Sequence, residues 1–309
     1  MKKVSILAFM AVAATLTAQT PQQMPASTSY QSNLTERAQA PSYSDLYCSG
    51  FISNQNISMK NTVSGGTASP SETIYGTGNQ VFISGGGLAE GSRYSILRPL
   101  RDPNRYEPYK GQRAQIAALG QPYAEIGRVQ VVAMRGPMAV AQVEFTCQNI
   151  TLGDVVIPFE EHPPVTYRKS TKMERFPSGP GATHGRIVMA REFDTEVGTG
   201  QKVYLNVGSN KGVKVGDYFR ATRGYDFDQI DPVDVTATNA PVGDDTQKYP
   251  GKIDKGLAAH MPVRDLGEMI VLSVTPTSAT AMITNALETI QVGDNVELEG
   301  EAPASASGQ

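Results

Sequence analysis

The sequence predicts an all-β protein made of two tandem repeats of a small β-barrel-like unit, joined by a Pro-rich linker. The chain has 309 residues with 30 Gly, 20 Pro and no Trp, a composition typical of many short strands and turns. Segments of the first half recur in the same order in the second half. Within these segments apolar residues alternate with a period of two, which is the pattern of half-buried strands.

The start of the chain is typical of an exported protein. A positively charged N-terminus precedes an apolar run from Val4 to Leu16, which is too short to span a bilayer. This predicts a signal peptide over residues 1–18, cleaved after Ala18, with an uncleaved N-terminal anchor as the alternative. We expect the mature chain to be periplasmic or secreted, without a transmembrane segment. Residues 19–43 are rich in Gln, Ser, Thr and Pro and are predicted to be flexible.

The two cysteines of the chain, Cys48 and Cys147, are expected to form a disulfide, because export places them in an oxidising compartment. Cys48 precedes the first predicted strand of unit one and Cys147 precedes its last strand. These strands become neighbours only if the unit closes on itself. We therefore predict that the bond pins the first strand beside the last, and that unit two closes by packing alone.

The internal repeat defines the domains, because an ordered series of matches indicates a duplicated structural unit. The matching segments are Gly50–Ser53 with Gly185–Val188, Gly76–Ser84 with Gly198–Asn206, Gly91–Arg98 with Gly216–Arg223, and Gly127–Val156 with Gly267–Val296. The predicted domains are β unit one over 44–159, the linker over 160–184, β unit two over 185–299 and a flexible tail over 300–309. We expect the basic residues of the linker, Arg168 among them, to be solvated; the alternative is contact with an anionic glycan or lipid surface.

Paired strands recur in both units. In unit one the apolar residues Val129 and Val131 stand at every second position, and in unit two Ile270, Leu272 and Val274 have the same spacing. Turn residues follow each of these runs, so each is predicted to be the first strand of a hairpin.

Both units carry a long insertion between equivalent strands, from Pro99 to Glu125 in unit one and from Gly224 to Leu266 in unit two. Loops of this length inside compact domains are usually functional or disordered. Exposed tyrosines flanked by basic residues suit a protein or glycan surface, and the alternative is that the rings cap an open barrel end. The candidate binding residues are Tyr106, Tyr109, Tyr123, Tyr225 and Tyr249.

The sequence predicts no catalytic residues, no cofactor and no metal site. The motifs of nucleophile elbows, zinc proteases and redox dithiols are absent, and the three His have no visible partner. The acidic segment Asp226–Asp234 matches a calcium-binding loop poorly. Gly153-Asp154 and Gly293-Asp294 are predicted turns with structural carboxylates. A net charge of −3 disfavours a nucleic-acid partner.

Three segments of unit two resemble known envelope proteins, namely Val203–Phe219, Gly267–Val274 and Ile290–Val296. Through them unit two resembles the C-terminal β-domain of bacterial flagellar assembly protein T, and it is similar to the β-modules that accompany LysM domains. Unit one shares this resemblance more faintly. The resemblance implies a β fold and a place in the cell envelope.

These observations together predict a non-catalytic, exported cell-envelope protein that acts as an interaction or assembly scaffold, with another envelope protein as its partner. The alternative is a glycan- or peptidoglycan-binding module that uses the tyrosines of the insertions, with cell-wall glycan as its ligand.

Overall fold

The computed structural model describes residues 39–67, 69, 71–168, 174–176, 183–224, 255–258 and 260–299. Two of its sheets each contain a closed ring of six strands, and these rings are called barrel one and barrel two below. The predicted all-β fold with two barrel-like units is therefore confirmed. The predicted signal peptide and the segment from Gly300 onward lie outside the described residues.

Barrel one follows a short helix, α1 (Tyr43–Tyr47), and a short strand, β1 (Phe51–Ser53). Its strands are β2 (Thr62–Gly66), β3 (Ile74–Tyr75), β4 (Gln80–Ser84), β5 (Arg93–Pro99), β6 (Gln121–Arg135), β7 (Met138–Thr146), β8 (Ile150–Thr151) and β9 (Val155–Pro158). The order around the ring is β2-β4-β7-β6-β5-β9, and β3 pairs separately with β8. Helix α2 (Gln112–Leu119) lies between β5 and β6.

Barrel two repeats this topology strand for strand. Its strands are β10 (His184–Ala190), β11 (Glu196–Val197), β12 (Lys202–Leu205), β13 (Tyr218–Arg223), β14 (Arg264–Val274), β15 (Ala279–Ala286), β16 (Ile290–Gln291) and β17 (Asn295–Leu298). The ring order is β10-β12-β15-β14-β13-β17, β11 pairs with β16, and helix α3 (Lys255–Ala258) lies between β13 and β14. The repeat in the sequence is thus a repeat of the fold.

The first strand of barrel one is not the one that the sequence predicts. β1 pairs only with β6 and lies outside the ring, whereas β2 occupies the place that β10 holds in barrel two. Val63 of β2 and Ile187 of β10 make matching backbone hydrogen bonds to the turns that contain Asp154 and Asp294. β2 is polar and rich in Gly, so the apolar Phe51–Ser53 segment gives the stronger pattern and misplaces the strand.

Two matching glycines explain how the long hairpins bend. A Cβ at Gly127 would lie 2.4 Å from the carbonyl oxygen of Phe145, and a Cβ at Gly267 would lie 2.4 Å from that of Asn285. Each glycine stands beside an irregularity in the pairing of β6 with β7 or of β14 with β15. The close approach of the two backbones therefore requires Gly in both copies.

Strand β14 is buried on both faces, which differs from the half-buried strand that the sequence predicts. Met269 and Val271 belong to the core of barrel two, while Ile270 and Leu272 belong to a separate apolar cluster on the opposite face. Ile270 and Leu272 therefore do not mark the core side of this strand, whereas Val274, which follows an irregularity in the pairing with β15, packs against the core. A second element must cover the outer face of barrel two.

Candidate functional site

The outer face of barrel two is covered by residues that belong to, or directly follow, barrel one. Leu46 of α1 and Val165 pack against this face, which is formed by Tyr218, Ile270, Leu272 and Met282. The equivalent positions of barrel one, read from the strand registers, are Arg93, Gln130, Val132 and Gln142. Most of these are polar, so only barrel two presents an apolar outer face. This difference between the two copies identifies the covered surface.

The first insertion, residues 100–120 between β5 and β6, docks on barrel two. Tyr109 is 2% exposed and joins the core cluster of barrel two. The guanidinium of Arg186 lies 4.0 Å from the centroid of the Tyr109 ring, and the Tyr109 hydroxyl donates to the side chain of Gln115. The ring is thus held by packing, by a cation–π contact and by a hydrogen bond.

Helix α2 completes this contact. Ile116 and Leu119 pack in a cluster with Val188 and Met189 of β10. The Gln112 side-chain amide donates a 2.8 Å hydrogen bond to the carbonyl oxygen of Val188. Because this carbonyl is buried at the contact, the bond satisfies a group that would otherwise lose its water.

The structure places the candidate tyrosines that it describes in different environments. Tyr106 is 80% exposed, whereas Tyr109 and Tyr123 are buried. Tyr123 is not a loop residue, because β6 already begins at Gln121, and its ring packs against Phe51 at 5.6 Å between centroids. Tyr225 and Tyr249 lie outside the described residues. Tyr109 does cap a barrel, but it caps the other barrel, so neither Tyr109 nor Tyr123 can offer its ring to a ligand.

The clasp, residues 39–53, bridges both barrels. Three side chains of barrel two donate hydrogen bonds to its carbonyl oxygens, namely Ser278 to Ile52 at 2.7 Å, Thr280 to Gly50 at 2.8 Å and Tyr204 to Ser49 at 3.2 Å. Asp45 of the clasp forms an ion pair with Lys202 of β12. Burial opposes ionisation of Asp45, but hydrogen bonds from Lys202 and Ser42 lower its pKa.

The predicted disulfide between Cys48 and Cys147 is present, with 5.6 Å between the Cα atoms. Its predicted role is wrong, however, because Cys48 directly follows α1 and no barrel strand begins there. Cys147 directly follows β7 of barrel one. The bond therefore fastens the clasp to barrel one, and the clasp in turn holds barrel two.

The strap, residues 159–168, runs from barrel one to barrel two and is held at its first half by a buried acid. His162 Nε2 lies 3.0 Å from Glu125 Oε1, and the backbone N–H of Gly50 donates to Glu125 Oε2 at 3.3 Å. The His162 ring also packs edge-on against Tyr47 of α1. Burial lowers the pKa of His162, but the hydrogen bond and charge of Glu125 outweigh it and raise that pKa above its ordinary value.

The second half of the strap is held by Arg168, which is not solvated as the sequence predicts. Its guanidinium lies 4.2 Å from the centroid of the Tyr218 ring, and Nη2 lies 3.6 Å from Glu268 Oε2. The same nitrogen pairs with Glu299. A planar guanidinium suits this combination of stacking and pairing. Of the remaining basic residues predicted to be solvated, Arg175 is exposed and pairs with Glu288, and Lys169 and Lys172 lie outside the described residues.

Two buried carboxyl groups of β14 lie near this contact. Burial raises the pKa of Asp265 to about 7 although the Gly267 N–H donates to it, and burial also raises the pKa of Glu268 to about 7. Thr284 donates a 3.3 Å hydrogen bond to Glu268. In the repeat, Asp265 takes the position of Glu125, so each barrel holds a buried acid at the same position.

We expect stability to fall as the pH rises between about 4.5 and 7. The ordinary pKa of Glu268 is 4.5 and its folded value is about 7, so the unfolded chain releases the proton first and deprotonation favours unfolding. One such group contributes a slope of about 1 kcal/mol per pH unit. Glu268→Gln should flatten the curve of unfolding free energy against pH, measured by urea denaturation. Glu196→Gln, which changes an exposed carboxyl of β11, is the control, and equal slopes in wild type and Glu268→Gln would contradict the assignment.

The two predicted turn carboxylates have a structural role in both copies. Asp154 accepts from the Thr151 N–H at 2.8 Å and pairs with Arg98 of β5. Asp294 accepts from the Gln291 N–H at 2.6 Å, and its partner is Arg223 of β13. This confirms the structural interpretation of these acids, since each one fixes a turn and ties it to a neighbouring strand.

Within the described part of the chain, no group of three or more His, Cys, Asp or Glu residues is arranged to hold a metal ion. The acidic segment Asp226–Asp234 lies outside that part. Among the helices of the described residues, none has the length and apolar character needed to cross a membrane. A scan against protein-family models finds no match, and a search of curated proteins finds no match either.

Proposed function

We propose that this chain is an exported, non-catalytic cell-envelope protein whose two barrels act together as one interaction scaffold. The observation that supports this best is the joint between the barrels. The first insertion, the clasp and the strap pack against barrel two and fix one barrel on the other. A fixed pair of barrels suits a protein that presents two surfaces at a constant spacing.

The chemistry of the joint supports the same proposal. Its buried acids, Glu125 and Glu268, each face a basic residue of the strap, His162 and Arg168, and the Cys48–Cys147 bond fastens the clasp. Buried pairs of this kind cost desolvation energy and fix one arrangement of the elements that carry them. A disulfide favours an oxidising compartment, in agreement with the predicted signal peptide and with a periplasmic or secreted location.

The alternative function, a glycan- or peptidoglycan-binding module, now depends on Tyr106 among the described insertion tyrosines. Its ring is exposed, and exposed basic residues stand near it in the sequence, namely Arg101, Arg105 and Lys110. An exposed ring beside basic groups is a surface on which a sugar ring can stack while its oxygens accept hydrogen bonds from the Arg and Lys side chains.

Sedimentation with purified, insoluble cell-wall glycan separates the two functions. We expect the wild-type protein to stay in the supernatant, because the other described tyrosines of the first insertion are buried. Saturable retention that is lost in Tyr106→Ala would contradict the scaffold proposal and favour the glycan-binding module. Met59→Ala removes an exposed apolar side chain outside the insertion and serves as the control for non-specific binding to the glycan.

A further inference from the structure

The tip of the first insertion, residues 101–110, carries basic side chains with which no described residue pairs. Among the arginines of the described residues, only Arg101 and Arg105 make no hydrogen bond, ion pair or ring contact. Lys110 is also exposed and forms no ion pair with a described residue. Tyr106 is 80% exposed, more than any other large apolar side chain of the described residues. The tip therefore presents three free cations and one exposed ring within a short segment.

The two acids of the tip bind backbone N–H groups and not these cations. Asp102 accepts a 2.8 Å hydrogen bond from the Asn104 N–H. Glu107 accepts from the N–H groups of Arg113 at 3.0 Å and of Gly111 at 3.3 Å. These bonds lower the pKa of Glu107, which is therefore ionised at neutral pH. Both carboxylates are used to fold the loop, and neither forms an ion pair with a basic side chain of the described residues.

Hydrogen bonds and packing hold the tip in one conformation. Arg113 Nη2 donates to the carbonyl oxygens of Asn104 at 2.9 Å and of Arg105 at 2.8 Å. The Asn104 side-chain amide donates a 2.9 Å hydrogen bond to the carbonyl oxygen of Phe193 in barrel two. Tyr109, near the end of the tip, is buried in the core cluster of barrel two. A surface that is fixed in this way loses little conformational entropy when a partner binds to it.

The free groups of the tip match an acidic protein segment better than a glycan or a membrane. Arg and Lys side chains only donate hydrogen bonds, and a guanidinium binds a carboxylate through two parallel ones. A neutral glycan presents hydroxyl donors as well, which these side chains cannot accept. Membrane surfaces are recognised by clusters of about four to eight basic residues, more than the tip has. Tyr and Arg are also among the side chains that contribute most to protein–protein contacts.

We propose that the tip of the first insertion binds an acidic segment of a partner protein, with Arg101, Arg105 and Lys110 pairing with its carboxylates beside the exposed ring of Tyr106. The whole chain has a net charge of −3, which disfavours contact of an acidic partner elsewhere on the surface. The inference deepens the proposed scaffold function, on which it rests, by naming the surface and the chemistry of the partner.

The test is fluorescence anisotropy of labelled poly-L-glutamate, titrated with the purified, oxidised full-length protein. We expect saturable binding that weakens as salt is added, because the contacts join exposed charges. The double variant Arg101→Gln/Arg105→Gln should bind about tenfold more weakly, since each exposed charge pair contributes a factor of roughly two to five to the affinity. Both arginines are exposed, so we expect this variant to keep the wild-type circular dichroism spectrum.

The double variant Lys211→Gln/Lys214→Gln is the matched control. These lysines of barrel two are exposed and form no ion pair with a described residue. The control therefore loses the same charge as the arginine variant and keeps the tip intact. It should bind poly-L-glutamate like the wild type. Equal weakening in the two double variants would mean that binding follows net charge alone, which would overturn the inference.

Two further results would overturn the inference. One is a wild type that shows no saturable binding of poly-L-glutamate. The other is tighter binding to vesicles of phosphatidylglycerol and phosphatidylcholine, which would assign the tip to an anionic lipid surface. Failure of the scaffold function is a separate result, because it is measured by sedimentation with cell-wall glycan. Retention on that glycan through Tyr106, with poly-L-glutamate binding weakened only in the arginine variant, would refute the scaffold function and leave the acid-binding tip established.

Discussion

Replacing Tyr109 with Ala is expected to lower the free energy of unfolding by about 3–5 kcal/mol, the usual cost of truncating a buried aromatic side chain. The ring fills space in the core cluster of barrel two although it belongs to the insertion of barrel one. Its loss would leave a cavity, remove the contact with the Arg186 guanidinium and deprive Gln115 of its hydroxyl partner. The substitution should therefore destabilise the contact between the barrels as well as barrel two itself.

Tyr106→Ala is the matched control, because Tyr106 belongs to the same insertion and its ring is exposed. Exposed substitutions of this kind usually change the free energy of unfolding by no more than about 0.5 kcal/mol. Urea denaturation of both variants, followed by circular dichroism, measures the difference. Similar losses in the two variants would mean that the insertion is not anchored through Tyr109.

The barrels themselves could be predicted from the sequence, since the signals that specify them are local and occur twice. Gly127 and Gly267 mark the same close approach of two strands, and Asp154 and Asp294 mark the same turn. Each of these residues acts within a few residues of its own position or on an adjacent strand. A duplicated set of such signals therefore gives the topology of both copies.

The docking of the barrels could not be predicted in the same way, because it depends on partners far apart in the sequence. Tyr106 and Tyr109 look alike in the sequence, and only contact with β10 makes one of them a core residue. His162 has no visible partner in the sequence, yet its acid, Glu125, is 37 residues away in the chain. Burial and pairing of this kind are properties of the assembled barrels.

One signal for the docking was nevertheless present in the repeat. Positions that are polar in unit one are apolar in unit two, as in Gln130 against Ile270 and Gln142 against Met282. Outward residues of a free barrel should be polar in both copies. An apolar residue in one copy alone therefore indicates a face that something covers.

Removal of the Cys48–Cys147 bond, in the double variant Cys48→Ala/Cys147→Ala, is expected to lower the free energy of unfolding by roughly 4–5 kcal/mol. The bond closes a loop across a sequence separation of 99 residues, and the chain-entropy model gives a stabilisation of this size for such loops. The two alanines remove both thiols, so no free cysteine complicates the comparison with the oxidised wild type.

The part of the chain that is destabilised first distinguishes the two roles of the disulfide, namely closing barrel one or fastening the clasp to it. If it pinned the first barrel strand beside the last, the amides of β2 and β9 would lose protection first, because these strands meet where the ring closes. The clasp, however, takes no part in the pairing of β2 with β9. Hydrogen exchange of the double variant should therefore show early opening of the clasp, including the Gly50 N–H that donates to Glu125, while β2 and β9 stay protected. Loss of protection in β2 and β9 before the clasp would instead support a role of the disulfide in closing the barrel.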